Sequence, residues 1–375
     1  MKTILCLLSI SLMAWAGVAS TEVIRIGVVG PMTAMQGQHH WHGATMAAEE
    51  INEAGGILIG DTVYQVELIR VDSNELEGSV DDAVSAVERI IGSVDVLVGG
   101  FRTEMVMAMT TTAADHQVPF LIVGAASDGL LSGRVDVDYE RYKYLFRVAP
   151  VKSSDLAKVS ILMLADVVQT FREQLEISTP RIAVIAERAA WADGLVQAVS
   201  QTIVAPRAMG GFEGELAGTP QRPSALATDL SAELDAAERA RAHIIYTALS
   251  DRVGIPFGRT WGELEIPASV VGINVMAQSG LWLTAYTGGA GAYASTVAIY
   301  ARDVAVTERT IPFVETFIER FGDLPLYTAA TYDALYILKS AVERAATLES
   351  DAVVEALEQT DYVSTIGRIV FDPTT

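Results

Sequence analysis

The chain has 375 residues, 50% of them hydrophobic, enough for two ordinary domains with large cores and too apolar for disorder. Lys and Arg number 26 against 47 Asp and Glu, a formal net charge of −21, and a surface that acidic repels nucleic acid and anionic lipid headgroups. The single cysteine, Cys6, falls in the N-terminal leader, so the remainder carries neither disulfide nor thiol chemistry.

The leader reads MKTILCLLSISLMAWAGVAS: one early charge at Lys2, an apolar run from Ile4 to Ala16, then small residues. This is the pattern of a secretory signal peptide spanning residues 1–20, cleaved after Ala19 or Ser20. An uncleaved anchor is the alternative, although the run is short for a membrane span. The expected location is therefore periplasmic or extracellular. Strand and helix signals alternate after it. VIRIGVV (Val23 to Val29) is a β-branched run suited to a buried strand, and a helix follows from about Gly37, with Trp41, Ala44, Ala48 and Ile51 at helical spacing and Gly55-Gly56 as its stop. VYQVELIRVD, a helix through Ala83, Val87 and Ile90, VDVLVGG, EMVMAMTTTAADH and VPFLIVG continue the alternation, which predicts an α/β fold with a parallel sheet covered by helices on both faces. The pattern restarts with RIAVIAE and a helix from Trp191, then AHIIYTA and ASVVGIN. GTPQRPS reads as a loop in which Ser224 caps the next helix. Two amphipathic helices, IPFVETFIERFG and YTAATYDALYILKSAVERAA, come last. The sequence ends at IGRIVFDPTT in mid-pattern, which reads as a truncated C-terminus.

Open parallel sheets bind ligands outside the carboxyl ends of their strands. The loops there are Gly30 to Gln38, Gly99 to Glu104, Gly124 to Asp128, Glu187 to Trp191 and Thr247 to Asp251, with Ile273 and Asn274 after a sixth strand. In GGFRTEM the glycines permit a tight turn, and Thr103 stands at a helix start where its hydroxyl either caps the helix or meets a ligand. Free N–H groups there favour a carboxylate, and Arg102 offers a bidentate contact to one. In GAASDG, Ser127 either meets a ligand or caps a short helix. Nucleotide motifs are missing: GVVGPM is not the dinucleotide fingerprint, no Walker loop is present, and Asp72 is an ordinary strand-end residue. Neither H-E-x-x-H nor G-x-S-x-G occurs, and the paired acids Glu49-Glu50 and Asp81-Asp82 diverge by ~100° on their helices, so no catalytic set is expected and the chain reads as a non-enzyme.

Seven fragments in order, namely IRIGVVGPMTAMQGQ, GATMAAEEINEAGG, VDVLVGG followed by a hydroxyl at a helix start (Thr103), VPFLIVGAAS, YLFRVAP, RIAVIAERAAWADG and YTAATYDALYILKSA, resemble the extracytoplasmic solute-binding proteins of ABC importers, in the leucine/isoleucine/valine-binding family. The resemblance covers most of the chain after the leader. It implies two Rossmann-like lobes joined by a hinge of crossing strands: residues 21–148 with 297–375 form lobe 1 and residues 149–296 form lobe 2, with the ligand cleft between them. It implies that Thr103, Ala125, Ala126 and Ser127 hold a ligand carboxylate, that Trp191 covers the ligand from lobe 2, that Gln36 lies at a first-lobe cleft position and that Ser250 adds a second-lobe contact. The chain departs from the family where an acidic residue pairs the ligand's ammonium after the VVGIN strand: Asn274 stands there instead, so an amide, a urea-like compound or a simple carboxylate fits as well as an amino acid. The implied function is capture of a small polar solute and delivery to an ABC-type permease by a monomer without cofactor; the alternative is a ligand-sensing domain of a receptor on the same fold.

The sequence MQGQHHWHG concentrates three of the chain's five histidines. His39 and His42 are i,i+3 and share a helix face, so two metal ligands are geometrically possible, but a third is not evident. The expectation is no metal site and solvated or rim-lining histidines, with His40 facing the cleft.

Overall fold

The computed structural model describes residues 22–148, 152–250 and 252–371; the leader, Asp251 and the last four residues, on which some expectations fall, lie outside them. Lobe 1 is built on a six-stranded sheet of order β2-β3-β1-β4-β5-β6. Its strands are β1 (Glu22–Gly30), β2 (Ile57–Ile59), β3 (Thr62–Asp72), β4 (Val96–Gly99), β5 (Phe120–Ile122) and β6 (Leu145–Arg147), all parallel except β2. The helices are α1 (Met35–Glu53), α2 (Val80–Glu88) and α3 (Thr103–Asp115), with single turns α4 (Gly129–Ser132) and α5 (Tyr139–Tyr142) before β6. Because a strand's side chains alternate in direction, the two faces build two cores. Val96, Val98 and Leu121 join Ala44 and Ile51 of α1, whereas Leu97, Phe120 and Ile122 join Val87 of α2 and Met109 of α3.

Lobe 2 begins with α6 (Ser153–Glu173) and holds β7 (Arg181–Ala186), α7 (Ala190–Val204), β8 (Glu215–Leu216), α8 (Ser231–Arg239), β9 (Ile244–Leu249), α9 (Gly254–Glu263), β10 (Ser269–Asn274) and β11 (Ala294–Thr296). Its five strands are parallel in the order β11-β10-β9-β7-β8. The chain then returns to lobe 1. There α10 (Thr310–Phe321), α11 (Thr331–Ala345), α12 (Ser350–Glu358) and the antiparallel hairpin of β12 (Asp361–Ser364) and β13 (Gly367–Val370) complete it. Leu338 and Ala341 of α11 share the core of Ala44 and Ile51. Buried Asp333 on α11 accepts hydrogen bonds from the Thr365 backbone N–H at 3.0 Å and hydroxyl at 2.5 Å, fixing the hairpin to the helix.

The helix stops before Gly55-Gly56 as expected, and the chain leads into β2, which the sequence reading missed; it pairs antiparallel with β3 through a two-residue turn at Gly60-Asp61, and a three-residue strand is too short for periodicity to reveal. Three expectations are corrected. The end of the chain, which read as mid-pattern, forms the β12–β13 hairpin up to Val370. Ser224 does not cap a helix: its hydroxyl accepts from the Leu226 N–H within a turn, and α8 begins only at Ser231.

The histidines are the third. His39 and His40 are neither solvated nor on the rim, being 4% and 0% exposed, while His42 is half-buried. The Leu326 N–H donates to His39 Nδ1 at 2.9 Å, His40 Nδ1 lies 2.9 Å from the Thr328 carbonyl oxygen, and the His42 ring stacks on Phe321 at 3.9 Å. They pin α1 to α10 and to the segment that leads into α11. Burial pushes His39 down to about 3, helped by its two histidine neighbours, and His40 down to about 4, so both are neutral at physiological pH. Among the described residues no group of three His, Cys, Asp or Glu side chains is arranged to hold a metal ion.

A candidate ligand cleft between the lobes

The carboxyl ends of both sheets face a shared cavity of about 60 Å³, room for a few waters or for one compact solute. Lobe 1 contributes Leu76, Phe101, Arg102, Thr103, Glu104 and Ala126; lobe 2 contributes Glu187, Ala189, Trp191, Ser250, Ile273 and Gln278. Lobe 2 also adds Leu156 from α6, and the stretch that returns to lobe 1 adds Val297, Ile299 and Tyr327. The lining is therefore mainly apolar, with a few polar groups at defined points, the ordinary composition of a small-molecule site. Side-chain contacts bridge the lobes beside it. Gln36 Nε2 donates to the Ser250 carbonyl at 3.0 Å, and Arg252 pairs with Glu77 at 2.7 Å.

The lobe 1 wall rests on backbone that side chains would disturb. Gly99 has φ +110°, and a Cβ there would stand 2.2 Å from the Val29 carbonyl oxygen; Gly100 follows at φ +78°. This turn carries Phe101 and Arg102 to the start of α3. The two N–H groups just before the helix are already taken. Buried Glu75 accepts from the Phe101 N–H at 3.0 Å and the Arg102 N–H at 2.5 Å, and from the Ser73 hydroxyl at 2.7 Å. The protein's own carboxylate thus fixes the turn that leads into α3. Burial outweighs these donors and pushes Glu75 up to about 7. The Arg102 guanidinium pairs with Glu104 at 2.7 Å. Thr103 is the first residue of α3, not its cap, and its hydroxyl oxygen accepts from the Ser127 N–H at 3.3 Å, tying together the two small-residue loops.

The lobe 2 wall is organised around Glu187, which immediately follows β7 and is 1% exposed. Three donors converge on its carboxylate: Trp191 Nε1–H at 2.6 Å, the Ser250 N–H at 2.9 Å and the Ser250 hydroxyl at 2.5 Å. Burial raises its pKa, and the hydrogen bonds and the charge of Arg102 oppose the rise. Trp191 is in the first turn of α7, one helical turn beyond Glu187, which places the indole N–H on the carboxylate and leaves the ring to line the cavity.

Of the residues singled out from sequence, Arg102, Thr103, Ala126, Trp191 and Ser250 line the cavity. Gln36 lies just outside, as the interlobe contact described. Ala125 is in the hydrophobic core of lobe 1 and Ser127 is set back behind Thr103. Asn274 is not turned to a ligand. Its carboxamide accepts from the Met276 N–H at 3.1 Å and packs on Gly254, whose absent side chain makes the space for it, while its neighbours Ile273 and Val275 take the lining positions. The sequence reading missed Glu187, Glu75 and Gln278. Glu187 stood at the head of a loop marked for inspection, but nothing in RIAVIAERAAW distinguishes a buried acid from a solvated one.

Residues 23–375 match the periplasmic binding protein family. The chain is 22% identical to the Leu/Ile/Val-binding protein BraC3 of Rhizobium johnstonii over 380 residues, covering 100% of this chain and 94% of that protein. Among solved structures, it is similar to the branched-chain amino acid transporter substrate-binding protein LivJ of Streptococcus pneumoniae in complex with isoleucine. That similarity has a TM-score of 0.74 at 19% identity and covers 94% of this chain and 93% of the other. It is also similar to an ABC transporter solute-binding protein of Rhodopseudomonas palustris in complex with 3,4-dihydroxybenzoic acid, at a TM-score of 0.70, 17% identity, and coverage of 94% and 89%. At these identities the structural likenesses speak for the fold, and the family match over all but the leader carries the conclusion: the chain belongs to the periplasmic binding protein family.

Proposed function

We propose that this protein captures a small solute outside the cytoplasm and delivers it to an ABC-type membrane permease, without chemical turnover. The observation that carries this reading is the cavity itself: it is walled by both lobes, so ligand binding and the approach of the lobes are one event, and a permease can read the closed surface. Residues 21–148 with 297–375 act as one lobe and 149–296 as the other. Arg102, Thr103 and Ala126 serve as the first-lobe contacts, and Trp191 and Ser250 as the second-lobe contacts. Gln36 works indirectly, as a bond that forms when the lobes meet. The relatives' ligands, isoleucine in one and an aromatic acid in another, share an apolar body with a charged end, which suits a mainly apolar cavity containing Arg102 and Glu187. The leader's export signal and the absence, among the described residues, of a helix long and apolar enough to cross a membrane agree with an extracytoplasmic carrier.

A ligand that binds only the folded protein raises its melting temperature by mass action. A thermal-shift screen of amino acids, amines, short and aromatic carboxylates, amides and urea analogues should give a concentration-dependent rise for one chemical class, and calorimetry should give one site per chain with no product formed. A well-folded sample that responds to none of these classes would refute the carrier reading.

A further inference from the structure

Charges in the cleft do not balance. Arg102 is the only cation in the lining, and its guanidinium is already paired with Glu104 at 2.7 Å. Glu187 has three hydrogen-bond donors but, among the described residues, no ion-pair partner, although it is 1% exposed. A buried carboxylate without an ion pair is costly, and a cation entering the cavity would offset that cost. An independent observation points the same way. Gln278 lines the cavity and Gln36 borders it, and the Oε1 of each is buried without a donor. Their orientation is fixed, because each Nε2 donates to a carbonyl, Gln278 to Val297 at 3.1 Å and Gln36 to Ser250 at 3.0 Å. The cleft therefore holds acceptors in want of donors, set among Leu76, Phe101, Leu156, Ile273 and Ile299.

On the carrier reading above, we propose that Glu187 is the ligand's counter-ion: the solute carries a primary ammonium on a compact apolar body, and the ammonium seats against Glu187 at the end of β7 rather than against the end of β10, where Asn274 is committed to Gly254. Trp191 and Ser250 then act as positioning residues that hold the carboxylate, leaving its remaining acceptor direction to the ligand. A carboxylate on the same solute is a secondary feature, read by Arg102.

Three molecules of one shape separate the charges: leucine carries both, 3-methylbutylamine only the ammonium and 4-methylpentanoate only the carboxylate. Calorimetry on the unmodified protein should show leucine or the amine binding at least ~30-fold more tightly than the acid, the ratio expected when one member of a buried charged pair is missing. Glu187→Gln keeps the shape and should weaken the ammonium ligand by a similar factor, with circular dichroism and melting temperature reporting its fold. The isosteric series needs no variant, so a poorly folded Glu187→Gln leaves the test intact. Preferential binding of the acid, or an unchanged affinity in well-folded Glu187→Gln, overturns this assignment and leaves the carrier standing. Failure of all three molecules together with the wider screen overturns both.

Discussion

The clearest physical test of the fold is the acid response of His39. This ring is buried, and its Nδ1 accepts from the Leu326 N–H at 2.9 Å, so protonation would set two hydrogens against each other and place a charge beside His40 and His42. Its pKa is about 3 in the folded protein against 6.5 for the free side chain. Between these values the unfolded chain binds more protons than the folded one, so stability rises with pH: the contribution is fully present above 6.5 and is lost as pH falls toward 3. At ~1.4 kcal/mol per unit, lowering pH from 7 to 5 costs about 2 kcal/mol through His39 alone. Glu75 and Asp333 act in the opposite sense. Burial raises them to about 7 and about 6, so acidification relieves their cost and masks the histidine in the unmodified protein. The variant His39→Asn retains an acceptor near Leu326 and removes the titration. Urea denaturation at pH 7 and pH 5 should show the difference between the two stabilities shifting by about 2 kcal/mol in favour of the variant at the lower pH. An identical pH dependence in both proteins would show that His39 is not held neutral, and the burial argument would fall with it.

Trp191→Ala and Thr103→Ala should each weaken ligand affinity while far-UV circular dichroism stays native, the first because it removes an aromatic wall and a donor to Glu187, the second because it unties the Ser127 loop; unchanged affinity in both by calorimetry would remove these residues from the site. Gly99→Ala places a Cβ 2.2 Å from the Val29 carbonyl oxygen at φ +110°, so it should destabilise the protein by more than ~1–3 kcal/mol in a denaturation curve, and a neutral result would contradict the turn geometry. Arg252→Met breaks the interlobe pair with Glu77, which is partly exposed on both sides, so the loss of affinity should be only ~2–5-fold and should disappear in high salt. A larger loss persisting in 1 M salt would mean that Arg252 touches ligand.

What the sequence made legible follows from how far each signal reaches along the chain. β1 and α3 were clear because a strand buried on both faces must be continuously apolar, and a helix over a sheet must repeat its apolar residues every three to four positions. The family resemblance rested on those same segments. The histidines misled because a local rule, i,i+3 on one helix face, says nothing about α10, which lies far along the chain and supplies Phe321 to stack on His42. Glu75 was invisible for the same reason. It reaches the turn before α3 through a fold that no window of sequence contains. Asn274 does not line the cavity, since the space for its side chain is set by Gly254 on another element.

Glu187 and Asn274 together say more than either alone. The resemblance implies an acid at the end of β10; among the described residues of lobe 2, the carboxylate in the cavity wall stands at the end of β7. In the sheet, β9 lies between those strands, so the two positions are separated by two strand spacings, about 10 Å. A solute no longer than that cannot keep its carboxylate against lobe 1 and its body against the same wall while its ammonium moves so far. It must turn in the cleft, toward Trp191 and away from Ile273 and Val275. Arg102 is then the group best placed to take the other end, since Glu75 already fills the backbone donors of the turn beside it. The relocation of one carboxylate thus predicts a changed ligand orientation without a change of ligand charge, and a ligand-bound structure showing the ammonium against Ile273 and Val275 would refute it.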